Sequence, residues 1–307
     1  MKILFIMPTY IGDMIMTTGV LAWLIEQYPE ARFTIACGPK GLDLFSHVPR
    51  LDKIHIIEKK KWHLHWVALW TVCWKTRWEL VVDFRHSISF LLLAKKRAVK
   101  KKQPGIHKVI ENALILNIMP PPAPKLWIDP QMMRKVKSNI SFDKPRVVIA
   151  PAANWSLKQW PLEYFIELVS LLICKGGLFE GACFQVLGAE HEAKYLEPLI
   201  QALSKMQCQC INLVGVSLQE TAAYLHYASI FVGNDSGLMH LAAAVGTPTV
   251  GLFGPGYPDI YRPWGSHAIY VQSPIQDAAF SMSALSVKQV MGAIEHHIRS
   301  ICEKSEG

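Results

Sequence analysis

The stretch from Phe231 to Pro255, FVGNDSGLMHLAAAVGTPTVGLFGP, decides the fold class. Ile230-Phe231-Val232 is a short apolar β-run, and Gly233-Asn234-Asp235-Ser236-Gly237 is a turn crowded with donors and acceptors. Leu238 to Val245 reads as helix until Gly246-Thr247-Pro248 ends it, and Thr249 to Phe253 is a second buried run. Strand, turn, helix, turn and strand in that order predict one βαβ unit of a parallel sheet. Ser236-Gly237 then opens a helix, where unpaired N–H groups and the positive dipole end favour an anion. Ligands of open α/β sheets sit beyond the carboxyl ends of the strands, which is where this turn lies.

The same alternation continues outward. In the second half, Arg146 to Ala150 predicts a strand, Pro151 to Trp160 a loop, and Pro161 to Lys175 a helix with proline in its first turn. Strands at Phe184 to Leu187 and Ile211 to Leu213 follow, with a loop Gly188 to Glu192 and a helix Leu218 to Tyr227. The first half starts with a strand, Lys2 to Met7, a loop Pro8 to Asp13 and a helix Met14 to Gln27. Arg32 to Cys37, Ile54 to Ile57 and Leu80 to Asp83 are further strand candidates. Near the end, Val287, Val290, Met291, Ile294 and Ile298 form one helical stripe over Ser286 to Ile301. The polar segment Lys137 to Arg146 marks a domain boundary. The expected architecture is α/β, with two Rossmann-like doubly wound domains, 1–142 and 143–307, facing each other across a cleft. The last helix would be free to pack back on the first domain.

A chain of 307 residues with 51% hydrophobic content is too large for one small core and suits two domains. Its net charge of +8 favours an acidic partner: nucleic acid, an anionic membrane or a phosphorylated substrate. Seven scattered cysteines, of which only Cys208 and Cys210 are close, read as reduced thiols of a cytosolic protein rather than as disulfides or a zinc site. Pro8, Gly12 and Asp13 interrupt the apolar N-terminus too early for a signal peptide, and no transmembrane helix is expected.

Ile11-Gly12-Asp13 after the first strand, Lys158-Gln159-Trp160-Pro161 in the second half, and Asn234-Asp235-Ser236-Gly237-Leu238-Met239-His240-Leu241-Ala242 resemble the lipopolysaccharide heptosyltransferases, glycosyltransferase family 9. The last of these is the most specific, and the resemblance runs in order over nearly the whole chain. It implies a GT-B fold, with the donor on the second domain and the acceptor on the first. It also implies inverting, metal-independent transfer of heptose from ADP-heptose to the inner core of lipopolysaccharide, at the cytoplasmic face of the inner membrane. No cofactor is expected beyond the ADP-heptose substrate.

The resemblance assigns roles that the residue types can carry. Asp13 becomes the base that takes a proton from the acceptor hydroxyl; its other reading is a helix cap. Lys158 matches the lysine on the phosphates, with Ser236, Gly237 and Leu238 supplying N–H groups and Asn154 a side-chain amide. Ala153 has no such donor. Asp235 matches the carboxylate facing the donor sugar, or holds its own turn. Glu192 matches the ribose-binding glutamate, or starts a helix. Val216 matches an apolar position against adenine, and His240 faces the donor or sits in the core. On the acceptor side, Gly12 precedes the base, and Arg85 of Asp83-Phe84-Arg85-His86 either holds an acidic sugar or pairs with Asp83.

Lys95 to Lys102 is the densest charge block and follows the apolar run Ile88 to Ala94. Tryptophans recur at 62, 66, 70, 74 and 78, after Lys59-Lys60-Lys61. Both segments suit an anionic bilayer, although charge runs usually face water and such rings also pack helices onto sheets. Rival functions are a relative using another nucleotide sugar, a non-catalytic nucleotide-sugar or lipid-binding protein, and a nucleic-acid binder. The last lacks any recognition motif, so no nucleic-acid partner is expected.

Overall fold

In the computed structural model the described residues are 1–101, 103–174, 176–275, 277 and 281–305, with no side chain described at 281, 304 and 305. Lys102 of the basic block, Lys175 at the expected helix end, and Gln276 and Ala278 to Phe280 lie outside them. The chain forms two compact units, Met1–Asp129 and Pro130–Gly307.

The first unit runs β1 (Lys2–Ile6), α1 (Ile11–Gln27), β2 (Arg32–Cys37), α2 (Lys40–Phe45), β3 (Leu51–Ile56), α3 (Leu64–Cys73), β4 (Trp78–Asp83), β5 (Ala94–Val99) and α4 (Lys108–Ala113). Its five strands pair in parallel in the order β3-β2-β1-β4-β5. Sequence order reverses between β1 and β4, so the loops after these two strands flank the switch point. β1 is buried on both faces after its first residue, which explains its unbroken apolar run.

The second unit runs α5 (Pro130–Asn139), β6 (Arg146–Ala150), α6 (Leu162–Ile173), β7 (Cys183–Gly188), α7 (Ala193–Lys205), β8 (Gln209–Val214), α8 (Leu218–His226), β9 (Ile230–Asn234), α9 (Gly237–Ala244), β10 (Thr249–Phe253), α10 (Pro258–Tyr261), β11 (Ala268–Gln272), α11 (Ser281–Ala284) and α12 (Val287–Ser305). Its six parallel strands lie in the order β11-β10-β9-β6-β7-β8, the doubly wound pattern whose reversal falls between β9 and β6. Trp160 is fully buried in the core of this unit, edge-on to Phe165 at 4.8 Å, with its indole donating to the Leu285 carbonyl at 2.7 Å. Truncating such a ring to alanine costs about 3–5 kcal/mol. α12 packs on α6 and β11 of its own unit, through Val290 and Ile294.

Several expectations change. The units divide at 129/130 rather than 142/143. The expected boundary segment begins inside α5, whose last residues are Lys137 to Asn139; this helix packs on α8, buries Val136 and pairs Lys135 with Glu220 at 3.0 Å. Helix α1 begins at Ile11, so Gly12 and Asp13 are inside its first turn. Tyr10 holds the N-cap position, so Asp13 is not the cap. The basic block is largely β5, an edge strand, where exposed lysines discourage pairing with another chain. The tryptophan series is broken over three elements: Trp62 sits in a 3-10 turn with a left-handed backbone, Trp66 and Trp70 lie on α3, and Trp78 opens β4. Trp66 and Trp78 are buried against the first sheet, whereas Trp62 is 89% exposed. α7 and β11 had no counterpart in the sequence reading. All seven cysteines are free thiols.

Candidate active site

In the second unit, four adjacent strands end in the loops that carry the donor-side residues. β9 leads into Asp235 to Leu238, β6 into Asn154 and Lys158, β7 into Glu192, and β8 into Val216. Because the strands lie in the order β9-β6-β7-β8, these loops form a row three strand spacings long, about 14 Å. Its two ends differ in chemistry, with charge at β9 and β6 and a partly buried valine at β8.

At the charged end the Lys158 ammonium lies 2.5 Å from Asp235 Oδ2, and the two side chains are 26% and 8% exposed. Burial pushes the Asp235 carboxyl above its ordinary range, and Lys158 opposes that shift. The Asp235 backbone N–H donates to Leu252 O at 3.0 Å, fixing the turn between β9 and α9. Gly256 keeps its Cα bare beside this carboxylate: a Cβ there would stand 2.8 Å from Asp235 Oδ2. Asn234, fully buried, accepts from the Trp160 N–H at 3.1 Å and donates to Pro151 O at 2.5 Å. It thereby locks the Lys158 loop to the end of β9.

Ser236 stands at the N-cap of α9 but makes no side-chain cap bond, and its hydroxyl oxygen is buried without a hydrogen-bond partner. A buried hydroxyl left in that state costs about 1–3 kcal/mol, so its orientation is what a ligand with an acceptor oxygen would complete. Gly237 and Leu238 open α9 beside it, and their N–H groups carry the helix dipole. His240 is buried on α9. Asn154 is exposed in the loop before the Ser156–Lys158 3-10 turn.

At the other end, Glu192 Oε2 accepts from the Ala189 N–H at 2.7 Å, and the residue is the N-cap of α7, as its helix-start reading has it. Its Oε1 lies 3.9 Å from His191 Nε2. The Gly215 N–H donates to Gly188 O at 2.9 Å, tying the loop that carries Val216 to the one that carries Glu192. Gly215 adopts φ +81°, a conformation glycine takes without strain.

In the first unit, burial pushes the Asp13 carboxyl up, while Lys100 and Lys108 pull it down and Glu111 adds to the rise. Those three form a buried cluster. Glu111 Oε2 takes both ammonium groups, Lys108 at 2.7 Å and Lys100 at 2.9 Å, and Oε1 accepts from the Gln103 N–H at 3.0 Å. Lys100 also donates to Asn112 at 2.8 Å, and Asn112 donates in turn to Met16 O on α1 at 3.0 Å. The cluster therefore grips the helix that carries Asp13.

Arg85 follows β4. Its guanidinium lies 4.6 Å over the Trp66 ring, and one terminal nitrogen, Nη1, is buried without a partner. Of its two readings, the ion pair with Asp83 is not formed. Asp83 accepts instead from the Arg85 and Ser87 N–H groups and from the hydroxyls of Ser87 and Ser89, at 2.7–2.8 Å. Its charge still supports the guanidinium against burial.

The family model for glycosyltransferase family 9 (heptosyltransferase) matches residues 66–289. The chain belongs to glycosyltransferase family 9. It is 27% identical to lipopolysaccharide heptosyltransferase 2 of Salmonella typhimurium over 86% of this chain and 85% of that one. Among solved structures, the Escherichia coli ADP-heptose lipopolysaccharide heptosyltransferase II aligns over 98% of this chain and 99% of its own, with a TM-score of 0.79 and 22% identity. An Escherichia coli heptosyltransferase solved with ADP aligns over 97% and 100%, with a TM-score of 0.76 and 20% identity. The fold of this family 9 chain is therefore GT-B. The matched stretch holds Arg85 and the whole donor-side row, whereas Asp13 precedes it.

Sequence reasoning missed Asn234 as the clamp on the Lys158 loop, Gly256 beside Asp235, and the Lys100–Glu111–Lys108 cluster. Asn234 and Gly256 stood in or next to the opening motif, so a question about their partners would have found them. The cluster carries little local signal, because only Lys108 stands near Glu111 in sequence, three residues before it on α4, and Lys100 is eleven residues away.

Proposed function

We propose that this glycosyltransferase moves heptose from ADP-heptose to a sugar of the lipopolysaccharide inner core, at the cytoplasmic face of the inner membrane, with inversion and without a metal ion. The Lys158–Asp235 pair beside the unpartnered Ser236 hydroxyl carries the reading: a cation and hydrogen-bond donors gathered at a helix N-terminus suit a diphosphate. The row of loops accounts for the rest of the donor. Asp235 meets sugar hydroxyls, Asn154 and the Gly237 and Leu238 N–H groups meet phosphate oxygens, Glu192 meets the ribose, and Val216 lies against adenine. His240 supports α9 from within.

Asp13 takes the proton of the acceptor hydroxyl, whose oxygen attacks the anomeric carbon as the bond to the diphosphate breaks. ADP leaves with the added negative charge, and the proton on Asp13 passes to water. A carboxyl raised by burial is a better base than an exposed one. Lys158, already held by Asp235, meets the departing charge without having to be brought from solution. Gly12 leaves the α1 terminus open on the acceptor side, and Arg85 offers its unpartnered nitrogen to an acidic acceptor sugar.

A mass-detected transfer assay with ADP-heptose and defined truncated acceptors tests this. Asp13→Asn should abolish product while ADP binding, by calorimetry, stays within about twofold, since no donor contact is removed. Normal turnover by this variant would remove Asp13 from the mechanism. Tighter binding of UDP or GDP than of ADP would replace the donor.

A further inference from the structure

We propose that the outer face of α3 and the adjoining turn before β5 form the surface that seats this chain on an anionic lipid bilayer. The inference rests on the membrane location given above but not on the identity of donor or acceptor. Helix α3, LHWVALWTVC, holds no Asp, Glu, Lys or Arg in its ten residues. Its inner face is spent on the first core, through Trp66, Leu69 and Cys73. The outer face is also uncharged and mostly apolar: Leu64, Val67 and Val72 are 50–55% exposed, Trp74 at its end is 41% exposed, and the exposed Thr71 among them turns its hydroxyl to the Ala68 carbonyl at 2.8 Å. A surface helix normally turns charged residues outward, and one that is apolar all round needs cover on both sides.

The patch does not stop at the helix. The Trp70 indole donates to Leu91 O at 3.4 Å, and Leu92 packs in the same core as Trp66. The turn next to α3 therefore adds Phe90 and Leu93, 68% and 55% exposed. Trp62, 89% exposed in a left-handed turn, projects just ahead of the helix. Such a continuous apolar area on a water-facing surface marks an interaction site.

Charge selects the partner. Residues 58–97 hold nine Lys and Arg against Glu58, Glu79 and Asp83. Asp83 is buried and Glu79 is taken by Lys95 at 2.8 Å. Lys59, Lys60, Lys61, Lys75 and Lys96 are exposed around the patch. Arg97 is spent on the carbonyls of Ser89 and Leu92, so it stiffens the turn rather than facing lipid. Apolar residues with tryptophan, ringed by lysine, match the acyl boundary and the phosphates of an anionic leaflet together. No described helix is long and apolar enough to cross a membrane, so α3 would lie on the surface.

Sedimentation of the full chain with vesicles of phosphatidylglycerol, or of phosphatidylcholine alone, tests the proposal. Binding should require phosphatidylglycerol and weaken as salt is raised. Val67→Ser/Val72→Ser should abolish it. Lys59→Glu/Lys61→Glu, which leaves the apolar face intact, should weaken it by about fivefold or more per residue. Lys205→Glu on exposed α7 is the control for bulk charge and should bind as the parent does. The double variants should keep transfer to a water-soluble acceptor, which separates this surface from the reaction: loss of transfer in every form would overturn the function while leaving the surface standing. Unchanged vesicle binding in both double variants would overturn the surface. So would a concentration-dependent dimer that Val67→Ser/Val72→Ser dissolves, which would assign the face to a second copy.

Discussion

Removing Lys158 should cost far more stability than removing the charge it meets. In Lys158→Met the Asp235 carboxylate, 8% exposed, loses the ammonium that lies 2.5 Å away and cannot rehydrate. Stripping one partner from a buried pair costs about 3–5 kcal/mol, and the 26% exposure of Lys158 reduces this to about 2–3 through solvent screening. Asp235→Asn leaves instead an ammonium that can turn to water, at about 1 kcal/mol or less. The double variant strands no charge and should cost about 1 kcal/mol, a coupling of about 2 kcal/mol. For a unit of this size each kcal/mol moves Tm by about 2–4 °C, so thermal unfolding followed by circular dichroism resolves the difference. The pH dependence has a definite sign. Asp235 is already raised by burial, and loss of Lys158 raises it further. A carboxyl that binds its proton more tightly folded than unfolded destabilises once ionised, so the Lys158→Met deficit should shrink as pH falls through the folded value. Transfer should fall about 10²–10³-fold in Lys158→Met, and the double variant should recover Tm without recovering transfer. Equal costs for the two single variants, or an additive double, would refute the pair as the anchor of this site.

The Lys100–Glu111–Lys108 cluster makes a prediction with two opposite signs. Asp13 is raised by burial, so the acid limb of kcat/KM should lie above the ordinary carboxylate range. Of the charges on elements packed against α1 (Lys40 and Asp43 on α2, Lys108 and Glu111 on α4) and Lys100 after β5, three act on Asp13. Lys100→Gln should move the limb up and Glu111→Gln should move it down; movement in one direction only would reduce the cluster to packing. Ser236→Ala should raise Tm by about 2 °C or more, because it removes a buried hydroxyl that has no partner, while ADP affinity by calorimetry falls about fivefold. Gly256→Ala should cost about 1–3 kcal/mol and weaken donor binding, since its Cβ would push on Asp235 Oδ2. Unaltered donor affinity in that variant would detach Gly256 from the site.

What could be read in advance follows from how each element is buried. β1, β6, β9 and β10 are covered on both faces, so their sequences are unbroken apolar runs and their positions were plain. β5 is an edge with three exposed cationic residues in a row, and α5 is an amphipathic helix whose exposed side is polar; both look like surface loop to a reading based on apolar content. The tryptophan spacing looked helical, but tertiary packing assigned those rings to a turn, a helix and a strand. The donor row was visible as separate motifs through the family resemblance, because strand-end loops follow strands at any sequence distance.

The hydrogen-bond partners of that row were not visible, and the reason is geometric. Lys158 and Asp235 are 77 residues apart and meet only because β6 and β9 are neighbours at the switch point. Asn234 closes the same gap, with one amide group serving both Trp160 and Pro151. A doubly wound sheet reverses its order at that place, so the two loops that flank it diverge from strands that run side by side. Between them the backbone leaves room for a ligand, and polar residues there can face one another without entering the core. The charged pair and the stranded Ser236 hydroxyl therefore sit where this topology leaves a crevice in the second unit. Asp83, with its four donors, and Arg85 sit at the corresponding place after β4 in the first.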